Sequence, residues 1–469
     1  MADYTVYEGV TAYAKQVLIG LAQSAAVAVF NNPNEQVLTI KGKETAIREV
    51  QTKGASDYTG KWDDGFDSAE VDYKTYYAPY DRAFSASIDT LKEAQSYVEG
   101  ATPSLIGVAN HYLKNELAPE IDRVIISRYA NEVASGNVHS SSDSGWGVDA
   151  AGILGTLTGI EADVANAGYV GDIVVFISAT ANKAFEQALT SANLLASAAP
   201  VTIEREMTRG EIAEGFGPLK IEIRCRKFNN LLIIPVPDNR MCGKVLMLNG
   251  IDPGQENGGC IPQKNSSSYF DVHILAIPMD AAFANIRHII NQLFVPYGLD
   301  TADYQQNIET ANEKLFGVVS LEDCGINQQA DGFKFNSRVV YGGDIFEIYR
   351  DACVLVKGAT QAQTIAPVKA TCVAAASALS GAKTTTSDVK VAFEALNCSG
   401  TVYFVSATTG SATVDASETL TIPTTGDDLR PYCTPTVTFG NTAGTSKISV
   451  YSDSAKTIKI GEFTVTSEG

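Results

Sequence analysis

The stretch from Thr102 to Tyr129 limits what this chain can fold into more than any other. Apolar residues recur at Leu105, Val108, Ala109, Tyr112, Leu113 and Leu117, and again at Ile121, Val124, Ile125 and Tyr129. Steps of three and four residues place them on one face of an α-helix about seven turns long. Thr102 suits the N-cap, and Pro103 suits the first helical position, where an N–H would go unpaired in any case. Pro119 falls inside the stripe. It is expected to bend the helix, because it removes one backbone hydrogen bond and its ring crowds the preceding turn. Leu113 and Ile125 are expected to be buried. Such a face is core material and by itself names no activity.

The 469 residues predict two or three domains. With 45% apolar and 19% charged residues the chain can bury a sizeable core. The formal charge of −19 argues against a surface that grips phosphate backbones, which needs clustered Lys and Arg, and no such run occurs. Its plain effect is solubility. The eight cysteines form no Cys-x-x-Cys pair and lie far in sequence from His111, His139, His273 and His288. Neither a zinc site nor a disulfide framework is expected, and reduced, buried thiols are. Met1–Thr5 has no basic region before an apolar one, so no export signal is expected. Val17–Phe30 is too short to span a bilayer.

Texture divides the chain. Residues 1–32 read as an arm with a helix around Val10–Phe30 and no core of its own. Residues 33–80 read as a long β-hairpin. Its strands are Gln36–Gly42 and Glu70–Tyr80, and its tip, GASDYTGKWDDGFD, is rich in Gly and Asp. A two-stranded ribbon is marginal in water, so it is expected to lie across a neighbouring subunit. Residues 81–150 carry the long helix. Residues 151–280 alternate helix and strand signals: a helix at Ile153–Ala165, a buried strand at Asp172–Ile177, a helix from the Ser178 cap to Leu195, a strand at Leu219–Cys225, and an apolar, proline-bearing run at Leu231–Pro237 expected at a sheet edge. Residues 281–360 begin with Asp280 capping a helix at Ala281–Leu293. They end with a hairpin of Arg338–Tyr341 and Ile345–Tyr349 around a Gly342-Gly343 turn, then Cys353–Val356.

A small, polar boundary follows at Lys357–Pro367. Beyond it Ser, Thr, Ala and Val dominate, and short strands are expected at Val389–Ala395, Thr401–Ser406, Glu418–Ile422, Thr434–Phe439, Lys447–Tyr451 and Thr457–Thr466. About seven short strands in about 100 residues is the pattern of an immunoglobulin-like sandwich over 366–469, without the Cys…Trp…Cys spacing of antibody domains. Residues 361–469 hold 7 Lys+Arg and 9 Asp+Glu, a net −2, so −17 of the −19 lies on residues 1–360.

Catalytic signatures are missing. Gly243-Lys244 has Asp238 where a phosphate-binding loop needs its first Gly, and Gly215-Phe216-Gly217 runs into Pro218, as a turn does. No H-E-x-x-H and no G-x-S-x-G occurs. Asp63, Asp64 and Asp67, and likewise Asp252, Glu256 and Asn257, read as solvated turns. No catalytic, cofactor-binding or metal-binding residue is assigned, no cofactor is expected, and the chain is expected not to be an enzyme.

Tyr80–Ser127 reads YDRAFSASIDTLKEAQSYVEGATPSLIGVANHYLKNELAPEIDRVIIS. An Asp81-Arg82 start, Ser87-Ile88-Asp89, a Gly-Ala-Thr-Pro helix start and Pro119-Glu120-Ile121-Asp122 follow one another. This order resembles the major capsid proteins of tailed double-stranded DNA bacteriophages, the Hong Kong 97-type fold. The resemblance spans about residues 1–360, with its specific motif confined to 80–127. It implies an α+β architecture: an N-terminal arm (1–32), an extended loop (33–80), a peripheral domain with the spine helix (81–150 and 281–360) and an axial α/β domain (151–280), here followed by the immunoglobulin-like domain (366–469). It also implies hexamers and pentamers of this chain closing an icosahedral shell around double-stranded DNA without sequence-specific binding. Portal, scaffold and auxiliary or decoration proteins would be partners, with no membrane. The location would be the virion, after assembly in the bacterial cytoplasm. An acidic inner wall would keep DNA from sticking. Some members crosslink subunits through an extended-loop Lys; Lys53 and Lys61 lie in that region, but no Asn or activating Glu can be matched. The alternatives are an encapsulin-type nanocompartment shell protein and a surface or adhesion protein with an immunoglobulin-like domain.

Overall fold

A computed structural model describes residues 25–30, 37–41, 44–52, 69–89, 111–207, 219–295, 332–367, 370–372, 379–407, 412–423 and 426–468. The arm helix before Ala25, the hairpin tip with Asp63, Asp64, Asp67, Lys53 and Lys61, the first half of the long helix and the Gly215-Phe216-Gly217 turn lie outside these residues. The chain forms two units: Met1–Gly243 with Asp271–Gly358, and Lys244–Phe270 with Ala359–Gly469.

In the first unit, in chain order, the strands begin with β1 (Val37–Lys41), β2 (Glu44–Thr52), β3 (Ala69–Tyr77), β4 (Tyr80–Asp89) and β5 (Val138–Ser140). Then come β6 (Ile173–Ser178), β7 (Ala199–Met207), β8 (Leu219–Phe228) and β9 (Leu231–Val236). The helices are α1 (Ala118–Glu132), α2 (Ile153–Asn166) and α3 (Ala179–Ser191). The second unit contributes β10 (Val245–Met247) and β11 (Cys260–Pro262). The first resumes with β12 (Val272–Pro278), β13 (Ala282–Val295), β14 (Gly332–Ile345) and β15 (Val354–Lys357).

Its centre is a seven-stranded mixed sheet, ordered β5-β15-β12-β6-β9-β8-β7. Strand β6, IVVFIS, is β-branched and buried along its whole length, as a strand covered on both faces must be. One face, with Ile173, Val175, Ile177, Leu231, Ile233, Ile274 and Val354, packs on Ile153, Leu157 and Ile160 of α2 and Phe185 and Leu189 of α3. Phe176 points to the other face, where its ring lies 5.9 Å from Phe30, and Phe30 lies 5.9 Å from Tyr129 of α1. So the short 3-10 turn Ala26–Phe30 wedges between α1 and the sheet, its Val27, Val29 and Phe30 fully buried.

A three-stranded sheet, β13-β14-β4, supports α1. Leu113, Leu117, Ile121, Ile125 and Tyr129 are each at most 1% exposed, and Tyr112 at the edge of the described stripe is half-buried. Each such side chain contributes about 1.5–3 kcal/mol by leaving water. The irregularity expected at Pro119 takes the form of a π turn over Leu113–Leu117, with the Ala118 N–H donating to the Leu113 carbonyl. A π turn just ahead of a proline reroutes the backbone bonds that the ring disturbs.

Several expectations are corrected. The ribbon of 33–80 is a three-stranded sheet, β1-β2-β3, in which Glu70–Tyr77 pairs with the unforeseen β2 and not with β1. The mixed sequence of β2, ETAIREVQT, shows no clean alternation that would have revealed it. Ala281–Leu293 is strand β13, paired residue by residue with β14 from Ala282↔Ile345 to Val295↔Gly332. Its apolar spacing fits a helix equally well, and the partner strand decides. Gly342 and Gly343 make no turn and sit inside β14. A Cβ on Gly342 would lie 2.8 Å from Ala78 Cα, and one on Gly343 would lie 2.8 Å from Tyr129 Oη and 3.0 Å from Ile125 Cγ2. Close approach, not φ, demands these glycines. Ile345–Tyr349 is therefore no return strand; a 3-10 turn runs over Glu347–Ala352. Leu231–Val236 is interior, between β6 and β8; Pro235 is tolerated because the β8 ladder stops at Ile233. Helix α3 ends at Ser191, before Leu195, because Asn193 turns left-handed at φ 56° and the Leu194 N–H bonds back to the Leu189 carbonyl at 2.9 Å, a Schellman stop.

The second unit has a core of Val389, Val391, Phe393, Val402, Phe404, Val437, Ile448, Val450 and Val465 among others. A five-stranded sheet runs in the order Ser380–Ala382, Lys459–Glu468, Gly444–Tyr451, Thr401–Ser406, Ser417–Thr419, accompanied by two three-stranded sheets. Strand Lys459–Glu468 alternates exposed and buried positions, the mark of a half-covered sheet. Residues 244–270 were expected inside the axial block; the structure groups them with this unit. Nor is Ala359–Pro367 a loose linker. Gln361 N–H donates to the Tyr269 carbonyl at 3.0 Å, Gln363 N–H to Lys264 at 2.9 Å, and Ser399 N–H to Ile365 at 2.8 Å.

Candidate functional site: the polar seam of the long helix

Helix α1 carries charge on its buried side, and each charged group reaches a different element. Glu120, 5% exposed, accepts from Tyr341 Oη of β14 at 2.6 Å and from Arg82 Nε of β4 at 2.9 Å. Next to Arg82 on β4, Asp81 takes a two-pronged contact from Arg338 of β14, Nε at 2.9 Å and Nη2 at 2.8 Å. The Tyr112 ring stacks on Phe84 of β4 at 3.9 Å, and burial, then the Glu120 charge, push its hydroxyl up. Thus the Asp-Arg start of the motif and the Pro-Glu-Ile-Asp on the helix, about forty residues apart in sequence, meet in one place.

Asp122 is fully buried. It accepts from the Val27 N–H at 3.1 Å and from Arg240 Nη1 at 2.9 Å. Burial holds its carboxyl above the usual range, against the opposing pull of Arg240 and the Val27 and Ala26 N–H groups. Arg123 Nε donates to the Asn239 carbonyl at 2.9 Å, and Asn131 Nδ2 to the Gly243 carbonyl at 2.7 Å. At the helix end, Arg128 lies 3.2 Å from Glu132 and 2.5 Å from Asp344 of β14. Tyr129 Oη donates to the Phe283 carbonyl of β13 at 2.6 Å. One helix therefore fastens the N-terminal turn, the β13-β14-β4 sheet and the 238–243 loop. A buried charge is costly unless paired, so these contacts must form together. The seam is an architectural device. Carboxylates, guanidiniums and phenols in it are paired with one another.

The strand that starts the extended sheet is fixed separately. Tyr76, near the end of β3, packs edge-on to Phe283 at 5.0 Å, and Phe283 stacks on Phe346 at 5.7 Å. A cleft of about 440 Å3 lies between Ala25–Ala26 and strands β8 and β9, bordered by Glu222, Arg224 and Arg240. It brings no nucleophile or general base together.

Sequence-marked residues lie as follows. His111 is exposed, with Nδ1 2.8 Å from Asn115 Nδ2. His139 stacks on Trp146 at 3.5 Å, with Nε2 3.3 Å from Asp163. His273 is held below the usual range by burial. Cys225, Cys242, Cys260, Cys353, Cys398 and Cys433 are unbridged and buried. Among the described residues no three His, Cys, Asp or Glu side chains gather as a metal site would, and no helix is long and apolar enough to cross a membrane. The Asp252–Asn257 loop turns Gln255 inward, its Nε2 donating to the Asp427 carbonyl at 3.0 Å. Lys244 Nζ bonds Ser266 at 2.8 Å and Ser268 at 2.9 Å, and cradles nothing. Sequence reasoning missed Arg240, Arg338 and Asp344. The available signal was a lone charge within an apolar run, as in VVYGGDIF.

No protein-family model and no curated protein matches the chain. Among solved structures, a chain from Mycobacterium phage Che8 aligns at TM-score 0.35 and 12% identity, over 67% of this chain and 85% of that one. The capsid structure of cyanophage P-SCSP1u aligns at 0.39 and 11%, over 68% and 85%. The mature capsid of bacteriophage PhiM1 aligns at 0.35 and 11%, over 67% and 82%. Likeness at this level does not by itself fix a fold.

Proposed function

We propose that this chain is a major capsid protein of a tailed double-stranded DNA bacteriophage. Copies form hexamers and pentamers that close an icosahedral head. The observation that carries the reading is the pairing of Arg82 with Glu120 at 2.9 Å, which joins the two halves of the sequence motif through the extended-loop exit strand and the spine helix. The rest of the seam supports it, since a helix pinned along its described length to the β13-β14-β4 sheet, the N-terminal turn and the 238–243 loop gives a subunit the stiffness a shell requires. In this reading β1-β2-β3 is the extended loop, the seven-stranded sheet with α2 and α3 is the axial domain, and the second unit is an immunoglobulin-like module on the outer face. DNA is enclosed without sequence-specific contact, while portal, scaffold and auxiliary proteins complete the head. The protein acts in the virion after assembly in the host cytoplasm, and it is not an enzyme.

Negative-stain microscopy of the purified chain tests this. Closed shells or capsomer tubes are expected, and uniform small particles would overturn it. The module can be tested by excision. Within the first unit, Val272 N–H bonds the Met241 carbonyl at 3.1 Å and Gly358 N–H bonds the Asp271 carbonyl at 2.9 Å, so Gly243, Asp271 and Gly358 lie near one another. A variant that joins Gly243 to Asp271 by a short turn and ends at Gly358 is expected to give shells of similar diameter without surface knobs.

A further inference from the structure

We propose that Glu132 and Asp344 share a single proton and so form a pH-sensitive latch between the last turn of α1 and the end of β14. Two carboxyl groups here compete for the same donors. Arg128 gives Nε to Glu132 at 3.2 Å and Nη2 to Asp344 at 2.5 Å. The Ile345 N–H lies 3.2 Å from Glu132 Oε2 and 3.0 Å from Asp344 Oδ1. Partners that converge on one guanidinium and one N–H are themselves close neighbours. Asp344 is 6% exposed and the Glu132 side chain 18%, so water screens them poorly. The other groups facing the pair are Tyr129 and Cys353, both raised first by burial and then by the neighbouring carboxylates, and Arg350, whose Nη2 is 3.6 Å from Glu132. Arg350 Nε is buried without a hydrogen-bond partner, so this second cation is only half engaged.

With one proton, Glu132 donates an O–H to Asp344, and the remaining negative charge rests on Arg128. Without it, two carboxylates repel across the joint between helix and strand. Burial, then the hydrogen bond and charge of Asp344, push Glu132 up to about 7, against the pull of the Ile345 N–H and Arg128. The sign follows from proton counting. Between the ordinary Glu range and about 7 the folded chain holds a proton that the unfolded chain has lost, so stability falls as pH rises through that window. The inference concerns the fold of the chain and holds whether or not it builds a shell.

The test is urea unfolding of the full chain from pH 5 to 8.5, with Glu132→Gln alongside. Glutamine keeps the neutral donor, so its profile is expected to be flatter. From pH 5 to 8 the wild-type unfolding constant should rise about tenfold or more beyond the rise in E132Q. The four histidines contribute to both chains and cancel in the difference. Asp344→Asn should move the wild-type transition to lower pH. Parallel profiles for wild type and E132Q would overturn the latch, since a merely structural role shifts the midpoint equally at every pH. If E132Q fails to fold, carboxyl carbon NMR on the wild-type chain decides. The carboxyl assigned to Glu132 is expected to titrate near 7, and its titrating below about 5.5 would overturn the latch.

Discussion

Both units bury neutral polar groups, but among the described residues only the first buries charges. In the first, Glu120, Asp122 and Asp344 are buried charges, each paired with an arginine or a phenol from a distant element. In the second the buried polar groups are neutral: Gln255, Gln263, Asn265, Ser446 and Ser467. Its ion pairs, such as Asp428 with Arg430 at 2.9 Å, stay at the rim. A neutral amide costs little to bury once hydrogen-bonded and tolerates imperfect partners. A buried carboxylate does not, because losing its cation leaves the full cost of desolvation. The first unit is thus an all-or-none arrangement, sensitive to pH and to single charge deletions. The second should yield in smaller steps.

The sharpest way to break this contrast is Arg240→Ala. It leaves Asp122 buried and uncompensated, and about 3–5 kcal/mol of stability should be lost in urea unfolding. Adding Asp122→Asn should restore part of the loss. If R240A costs less than about 1 kcal/mol, the charged seam is not what holds the first unit. Next in size, Ile125→Ala on the stripe should cost about 2–5 kcal/mol, since Ile125 is 0% exposed and packed against Gly343. This loss should be the same at pH 5 and pH 8, unlike that of any change at the latch.

In the second unit, Asn265→Ala removes the donor that serves the Leu396 and Cys398 carbonyls at 2.9 and 3.2 Å. The expected loss is about 1–3 kcal/mol. Hydrogen exchange should show faster opening of 244–270 while α1 stays protected. Equal opening of both would mean that the two units unfold as one. The smallest effect belongs to Asp428, whose carboxyl Arg430 holds down at about 2. A depressed folded value means stability present above the unfolded carboxylate range and lost as pH falls toward 2. Being partly exposed, the pair should contribute at most about 1 kcal/mol, fading with salt. Asp428→Asn should therefore matter at pH 7 and vanish near pH 2, with no change between pH 5 and 8, where the first unit's latch acts with the opposite sign.

Local signals served well where one element could be read without its partners. The stripe through Leu113, Leu117, Ile121 and Ile125, the Ser178 cap on α3, the apolar run of β6 and the strands Thr401–Ser406 and Lys447–Tyr451 lie where periodicity put them, while Glu418–Ile422 is strand only at its first two residues. They failed where a partner chooses the answer. Ala282–Val295 has an apolar spacing that suits helix or strand, and only β14 beside it makes it a strand. Gly342 and Gly343 look like a turn in one dimension and are contact points for Ala78 and Tyr129 in three.

What the sequence determined alone, then, is the material of the first unit: a one-sided helical stripe, a β-branched centre and an acidic composition. It also marked the change of texture near Lys357. The tertiary structure decided the rest. It assigned Lys244–Phe270 to the second unit, paired Arg82 with Glu120 and Arg240 with Asp122, and set Asp344 against Glu132. The physical reason is range. Periodicity and capping are interactions within one or two turns of chain, so the sequence displays them. A charge becomes a buried partner only when folding brings residues more than one hundred positions apart to within hydrogen-bond distance, as it does for Asp122 and Arg240.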